Sequence, residues 1–331
     1  MAVLDISDLS IEFPTRRGIL SAVEGLSLSI EAGEILGVVG ESGAGKSLTG
    51  NAVVGLLEPP GRVSGGTIRL NGEDITHLSE NAMRRVRGAQ IGVIFQDPLT
   101  SLDPLYTIGR QLTQTILTHQ KLSAAGARDK AIQLLSEVGI PAPERRFDAY
   151  PHEFSGGMRQ RVVIALALCC DPCLIIADEP TTALDVSVQA QIIDLLKKLA
   201  REKGVATMLV THDMGVIAET ADRVAVIYSG RLVEMGKVRD VIDTPRHPYT
   251  RGLMDSIPQI GQNLRTLPNI EGAMPRLNAR PEGCAFNPRC TQTLDRCFRH
   301  VPPLDTTADE QRQVACWLLT EQENRKETAY A

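Results

Sequence analysis

The amino-acid sequence predicts an α/β fold: a parallel sheet with helices, an antiparallel β subdomain at its N-terminal side, an inserted helical subdomain and a small Cys-rich C-terminal appendage. Two observations carry the core. Ile35-Leu-Gly-Val-Val39, Cys173-Leu-Ile-Ile-Ala177 and Thr207-Met-Leu-Val-Thr211 are short, largely apolar runs, the pattern of strands covered on both faces. Between the second and third, Val188, Ile192, Leu195, Leu196 and Leu199 recur at intervals of three or four and predict one amphipathic helix. Strand and helix alternating in this way favour a parallel sheet.

The elements follow in order. The first thirty residues hold two short β-like runs around Pro14-Thr-Arg-Arg-Gly18, then a partly alternating stretch from Ala22 to Ile30, together a small antiparallel sheet. The run ending at Val39 passes at once into a glycine-rich turn and a helix-compatible stretch. From Asp97 to Gln160 the pattern is mostly helical with loops, predicting an insert over about residues 97–165. After about Ser256, prolines, polar residues and four cysteines replace periodic apolar runs, so the chain divides into residues 1–255 and 256–331.

Composition narrows the function. The 331 residues suffice for one large domain and a smaller unit. A formal net charge of -5 lacks the basic excess of a nucleic-acid-binding surface, so no nucleic-acid partner is expected. Met1-Ala-Val-Leu-Asp5 does not read as a secretory signal. The strongest apolar run, from Val162 to Cys170, is far shorter than the roughly 20 residues a membrane helix needs, so membrane association is expected only through a partner. Of the seven cysteines, Cys169, Cys170 and Cys173 read as small core residues beside a strand, and a disulfide framework is not expected in a cytosolic chain.

Gly40-Glu-Ser-Gly-Ala-Gly-Lys-Ser47 fits the G-x-x-x-x-G-K-[ST] phosphate loop and stands between a strand and a helix, as the mechanism requires. Glycines let successive backbone N–H groups turn toward one anion at a helix N-terminus. Gly40, Ser42, Gly43, Gly45, Lys46, Ser47 and Leu48 are therefore expected to bind ATP, with Lys46 on the β- and γ-phosphates and the Ser47 hydroxyl on Mg²⁺. Leu174-Ile-Ile-Ala-Asp-Glu179 ends an apolar strand in two carboxylates, where a parallel sheet carries its ligand crevice. Asp178 is expected to hold Mg²⁺ through its water shell, and Glu179 to orient or deprotonate the attacking water.

Phe154-Ser-Gly-Gly-Met-Arg-Gln-Arg161 resembles the signature sequence of the ABC ATPase family, and the other family motifs follow in the family's order. Gln96 in Phe95-Gln-Asp-Pro98 resembles the Q-loop glutamine, which also reaches Mg²⁺; Asp185 in Ala183-Leu-Asp185 resembles the D-loop; His212 in Thr211-His-Asp213 resembles the switch histidine. Phe13 stands where the family carries the aromatic residue that stacks on adenine. The resemblance implies an ABC-type P-loop NTPase acting as a head-to-tail pair, in which Ser155, Gly156, Gly157 and Gln160 bind the γ-phosphate of an ATP held by the partner chain. Soluble repair-class relatives insert long coiled coils or zinc modules between the halves of the site, and no sustained heptads lie between Lys46 and Asp178. Translation-associated relatives carry two cassettes; one is found here.

Arg246-His-Pro-Tyr-Thr-Arg-Gly-Leu253, Cys284 and Asn287-Pro-Arg-Cys290 are similar to the ATP-binding subunits of dipeptide, oligopeptide and nickel importers, most closely the D-type peptide subunits. That likeness implies a peripheral protein on the cytoplasmic face of the inner membrane. Its partners would be a second, related ATPase as a heterodimer, two transmembrane permease subunits and, indirectly, an extracytoplasmic substrate-binding protein. Cys284, Cys290, Cys297 and Cys316 supply four soft ligands at spacings wider than paired zinc knuckles, which leans toward a [4Fe-4S] cluster, as the likeness also implies, with zinc or unligated thiols as the alternatives.

Overall fold

The computed structural model describes residues 2–182, 184–257, 269–307 and 312–319. Along the chain come β1 (Leu4–Thr15), β2 (Gly18–Ile30), β3 (Ile35–Val39), α1 (Lys46–Val53), β4 (Arg62–Leu70), β5 (Glu73–Asp74), α2 (Glu80–Val86) and β6 (Ile91–Ile94). The helical insert follows as α3 (Pro98–Ser101), α4 (Ile108–His119), α5 (Ala124–Glu137), α6 (Pro143–Arg146) and α7 (Gly156–Leu168). The chain then returns to the core through β7 (Leu174–Asp178), α8 (Val186–Lys203), β8 (Ala206–Val210), α9 (Met214–Thr220), β9 (Arg223–Tyr228), β10 (Arg231–Lys237), α10 (Val238–Asp243) and α11 (Pro248–Asp255). Two short strands, β11 (Asp305–Thr306) and β12 (Gln313–Val314), close the described part.

One sheet is antiparallel, in the order β2-β1-β4-β5. Its N-terminal hairpin is longer than the sequence pattern predicts, because register shifts between Ile6 and Leu9 and between Leu9 and Ile11 break the alternation without ending the strand. Such bulges insert extra residues and flip the facing pattern, and Pro14–Gly18, read as lying between two runs, is the end of β1, the turn and the start of β2. Leu4, Ile6, Leu9 and Ile11 are nevertheless all buried.

The second sheet runs β11-β12-β10-β9-β3-β8-β7-β6, with β9, β3, β8, β7 and β6 mutually parallel. All five residues of β3 and of β8 are buried, as both-face coverage demands. In α8, Ile192, Leu195, Leu196 and Leu199 are buried as the periodicity predicts; Asp185 caps its start and Gly204, at φ 66, ends it. The insert packs α4 and α5 on α7 through Ile108, Leu112, Ile116, Ala131 and Leu135, within the same apolar cluster that holds the α8 face.

The end of the chain is stitched into this sheet: β12 pairs antiparallel with β10. Beside it Arg312, 3% exposed, forms an ion pair with Glu234, which is fully buried and also accepts the backbone N–H groups of Arg246 and His247, both at 3.0 Å. Arg312→Met strands that carboxylate in the interior, and the full chain should lose about 3 kcal/mol of stability. Denaturant unfolding reads this as a lower midpoint; an unchanged midpoint would show that the Arg312–Glu234 pair does not hold this end of the chain.

The iron–sulfur expectation is overturned. Among the described residues, no group of three or more His, Cys, Asp or Glu side chains is arranged to hold a metal ion, which removes both the [4Fe-4S] cluster and the zinc alternative. Cys284, Cys290, Cys297 and Cys316 are free thiols around a space of only ≈ 10 Å³. Burial pushes the Cys290 thiol up, Cys284 to about 11 and Cys316 to about 12, so these three are neutral thiols where they pack. Their work is packing: Cys284 and Cys290 sit against the main apolar cluster, and the Cys284 N–H donates to the Cys297 carbonyl at 2.8 Å. Four cysteines in a compact polar segment carry the same sequence pattern whether they bind metal or fill space; only their positions separate the two.

Candidate functional site

The 40–47 loop leaves β3 and enters α1. Gly40 has φ 154, and a Cβ there would lie 2.2 Å from the Ile227 carbonyl oxygen, so the loop approaches β9 more closely than any side chain permits. Gly43 and Gly45 follow at φ 81 and 103, in the left-handed region that turns successive N–H groups to one side. Lys46 is 5% exposed, and its Nζ donates to the carbonyls of Gly40 at 2.7 Å and Glu41 at 3.0 Å. Burial pushes its ammonium down from the ordinary lysine value, against the opposing charges of Glu179, Asp178 and Glu41. Ser42 and Ser47 are exposed, and Leu48 is half-buried against the core.

The carboxylates stand across from the loop because β7 neighbours β8, which neighbours β3. Ser47 Oγ donates to Asp178 Oδ1 at 3.0 Å. Burial pushes the Asp178 carboxyl up and the Glu179 charge adds to this, while the Ser47 hydrogen bond and Lys46 oppose it. Glu179 lies just past the strand with φ 47, a left-handed conformation costly for a non-glycine residue and concentrated at functional sites. Its N–H is tied to the Val210 carbonyl at 2.8 Å.

Three side chains converge on the Glu179 carboxylate. Gln96 Nε2 donates to Oε2 at 3.1 Å, Thr182 Oγ1 donates to the same oxygen at 2.9 Å, and His212 Nδ1 is 3.0 Å from Oε1. Burial would raise this carboxyl, but the hydrogen bonds from His212 and Thr182 and the charges of His212 and Lys46 hold it below the ordinary glutamate value. Gln96 follows β6, and His212 lies between β8 and α9, where Asp213 caps α9 by accepting the Gly215 N–H at 2.8 Å. Residues from three strand ends, those of β6, β7 and β8, thus meet at one point, 83 and 33 positions from Glu179 in the cases of Gln96 and His212.

The signature residues form a separate cluster. Ser155 caps α7, its Oγ accepting the Met158 N–H at 3.3 Å. A Cβ on Gly157 would meet Val188 Cγ1 at 2.6 Å, so α7 and α8 meet there. Asp185 at the start of α8 accepts from Ser187 Oγ at 2.7 Å and Val188 N at 2.9 Å, the Val188 hydrogen bond being the main influence that lowers its carboxyl. Among the described residues, no hydrogen bond joins Ser155, Gly156 or Gly157 to the 40–47 loop. Gln160 is 1% exposed, placing it inside the helical packing. Phe13 lies on β1 with its ring against Gly61, where a Cβ would be 2.7 Å from the Phe13 Cε1. Ala183, first residue of the D-loop-like stretch, lies outside the described residues.

Sequence reasoning missed Thr182 and Asp213. Both sit within three residues of a predicted functional side chain, and a hydroxyl or carboxylate that close to a strand end is a signal that could have found them. It also missed that residues far down the chain reach the loop: Arg289 Nη1 donates to Glu41 Oε1 at 2.9 Å, and the Glu41 N–H donates to the Tyr249 hydroxyl at 2.9 Å.

Comparisons with known proteins agree with this geometry. The ABC transporter family matches residues 23–182, and the oligopeptide/dipeptide transporter C-terminal region matches residues 233–297. The dipeptide transport ATP-binding protein DppD of Bacillus subtilis is 46% identical over 99% of this chain and 97% of its own length. Its counterpart DppD of Escherichia coli is 45% identical over 96% of each chain, and the oligopeptide transport ATP-binding protein OppD of Bacillus subtilis is 46% identical over 96% of this chain and 89% of its own. Among solved structures, a dimeric ATP-binding cassette in a post-hydrolysis state, bound to ADP and Pi, is 28% identical with a TM-score of 0.64, covering 71% of this chain and 99% of that one. Identity of this size over nearly the whole length, on a P-loop α/β fold with an antiparallel β subdomain, leaves one conclusion: the chain belongs to the ABC transporter family, among the ATP-binding subunits of its dipeptide and oligopeptide transporters.

Proposed function

We propose that this chain is the ATP-hydrolysing motor subunit of an importer for dipeptides or oligopeptides. The observation that carries the chemistry is Glu179, ionised and held from three sides by Gln96, Thr182 and His212, one residue past an aspartate that meets Ser47. In this reading the 40–47 loop and the start of α1 receive the triphosphate, Lys46 turns to the β- and γ-phosphates, and Phe13 stacks on adenine. Water held by Glu179 attacks the γ-phosphorus while the bond to the ADP oxygen breaks, and the carboxylate takes the water proton. His212 and Gln96 fix the rotamer of that carboxylate.

The donor set fits Mg²⁺, which takes one or two carboxylates together with substrate phosphates. Ser47, Asp178 and Gln96 would hold it; when bound, the ion neutralises charge on the phosphate oxygens.

Residues 1–255 form the ATPase unit in this reading and 256–331 the peptide-transporter C-terminal unit, of which 258–268, 308–311 and 320–331 lie outside the described residues. Among the described residues no helix is long and apolar enough to cross a membrane. We further assign the chain to the cytoplasmic face of the inner membrane, paired with a second, related ATPase, and coupled through two permease subunits to an extracytoplasmic binding protein. Support for the pair is that Ser155 and Gly156 are exposed at the N-terminus of α7, a place suited to an anion, with no hydrogen bond to the 40–47 loop among the described residues. Gln160, in the first turn and a half of α7 and 1% exposed, is read with them as part of the signature that serves the partner's ATP. Asp185, at the cap of α8, adjoins this surface.

The purified chain alone should therefore hydrolyse ATP slowly, with specific activity rising as protein concentration or a related ATPase subunit is increased. Full activity in dilute solution, independent of concentration, would overturn the composite site. ATP-dependent uptake of a labelled dipeptide into vesicles carrying the assembled transporter tests the cargo.

A further inference from the structure

A phosphate loop that carries a carboxylate works against itself, since Glu41 places negative charge beside the site meant for the triphosphate. Three contacts from the second half of the chain converge on this stretch. Arg289 Nη1 donates to Glu41 Oε1 at 2.9 Å and Oε2 at 3.1 Å; the Tyr249 hydroxyl accepts the Glu41 N–H at 2.9 Å; and Met274 Cε lies 3.3 Å from where a Gly43 Cβ would stand. Arg289 is itself immobilised. Its side chain is 5% exposed, Nε donates to the Glu271 carbonyl at 2.9 Å, Nη2 to the Ile270 carbonyl at 3.1 Å, and Nη1 also to the Tyr228 hydroxyl at 3.3 Å. The rings of Tyr228 and Phe286 lie 5.8 and 6.0 Å from the guanidinium. A fixed, fully engaged arginine meets a carboxylate that is 30% exposed.

We infer that Arg289 is a positioning residue for ATP: it neutralises Glu41 and fixes the phosphate loop from the C-terminal segment, so that this segment sets the nucleotide affinity of the chain. The inference rests on the reading of the 40–47 loop as the ATP site. Its physical content is electrostatic. An unpaired carboxylate in the loop repels phosphate and draws the Lys46 ammonium toward itself; a paired one does neither. Because Arg289 depends on the 270–271 carbonyls and on the packing of Phe286, any change in that segment is felt at the loop. The coupling is reciprocal, so nucleotide binding should in turn favour the docked segment.

The test is a set of full-length variants titrated with fluorescent ATP, with Lys46→Ala as the control that shows binding occurs in this loop. Arg289→Met should weaken ATP affinity about tenfold, as expected for stranding one member of a hydrogen-bonded charge pair. Glu41→Gln in the Arg289→Met background should restore most of that loss, because it removes the charge that Arg289 had been cancelling. Glu41→Gln alone should tighten ATP by about threefold, since Arg289 then presents uncancelled positive charge near the phosphates. A mere structural brace predicts the reverse, with the double variant no better than Arg289→Met and Glu41→Gln alone weaker than the parent. Either of those results overturns the inference, and Glu41→Gln decides it even if Arg289→Met fails to fold. If Lys46→Ala binds ATP normally, the loop reading itself fails, whatever the Arg289 variants do.

Discussion

Glu179→Gln should leave ATP binding intact and lower turnover in the assembled transporter by about 10²- to 10⁴-fold, the usual worth of a positioned general base. The amide keeps the shape of the side chain and can still meet Thr182, Gln96 and His212, but it carries no charge to polarise water and no free lone pair of comparable basicity. The hydrogen bonds from His212 and Thr182 hold the Glu179 carboxyl below the ordinary glutamate value, so the base is ionised throughout the neutral range. Acid should therefore mimic the substitution: turnover of the parent falls as pH drops through that lowered value, and Glu179→Gln, having nothing to titrate there, is flat over the same span. Near-parental ATPase from the variant, or a parent rate insensitive to acid while still folded, would remove Glu179 from the chemistry.

Lys46→Ala should weaken ATP binding by about 50-fold, in line with losing charged hydrogen bonds to phosphate. The residue is 5% exposed and now donates to the Gly40 and Glu41 carbonyls, both within the loop it would serve. Removing it leaves those carbonyls without that donor and the loop without its cation, so affinity falls at the binding step rather than at turnover. Equilibrium titration of the full chain measures this directly, with thermal unfolding run alongside to show that the fold survives. Unchanged affinity would show that the triphosphate sits elsewhere.

The parallel core was legible because its cause is local: β3 and β8 are buried on both faces, and such strands must be apolar throughout, which a reader of the sequence sees directly. The face of α8 was legible for the same reason, since 3.6-residue periodicity is written along the chain. The phosphate loop was legible because three glycines at fixed spacing before a lysine serve a backbone geometry that other residues resist. The N-terminal hairpin was read only in fragments, because its bulges shift the facing pattern without leaving a distinctive residue behind.

By itself, then, the sequence determined the α/β class, the loop from Gly40 to Ser47, the carboxylate pair at the end of β7 and the resemblance that led to the family, all of them properties of adjacent residues. Tertiary structure alone decided which distant side chains share a site. It brought Gln96, Thr182 and His212 onto one carboxylate and set Arg289 on Glu41 across 248 positions. It also decided that four cysteines with metal-like spacing pack as free thiols. The physical reason is common to these outcomes: spacing along a chain fixes which residue types are available, whereas hydrogen bonding, ion pairing and metal ligation act over about 3 Å in space, a distance set by how strands and loops pack.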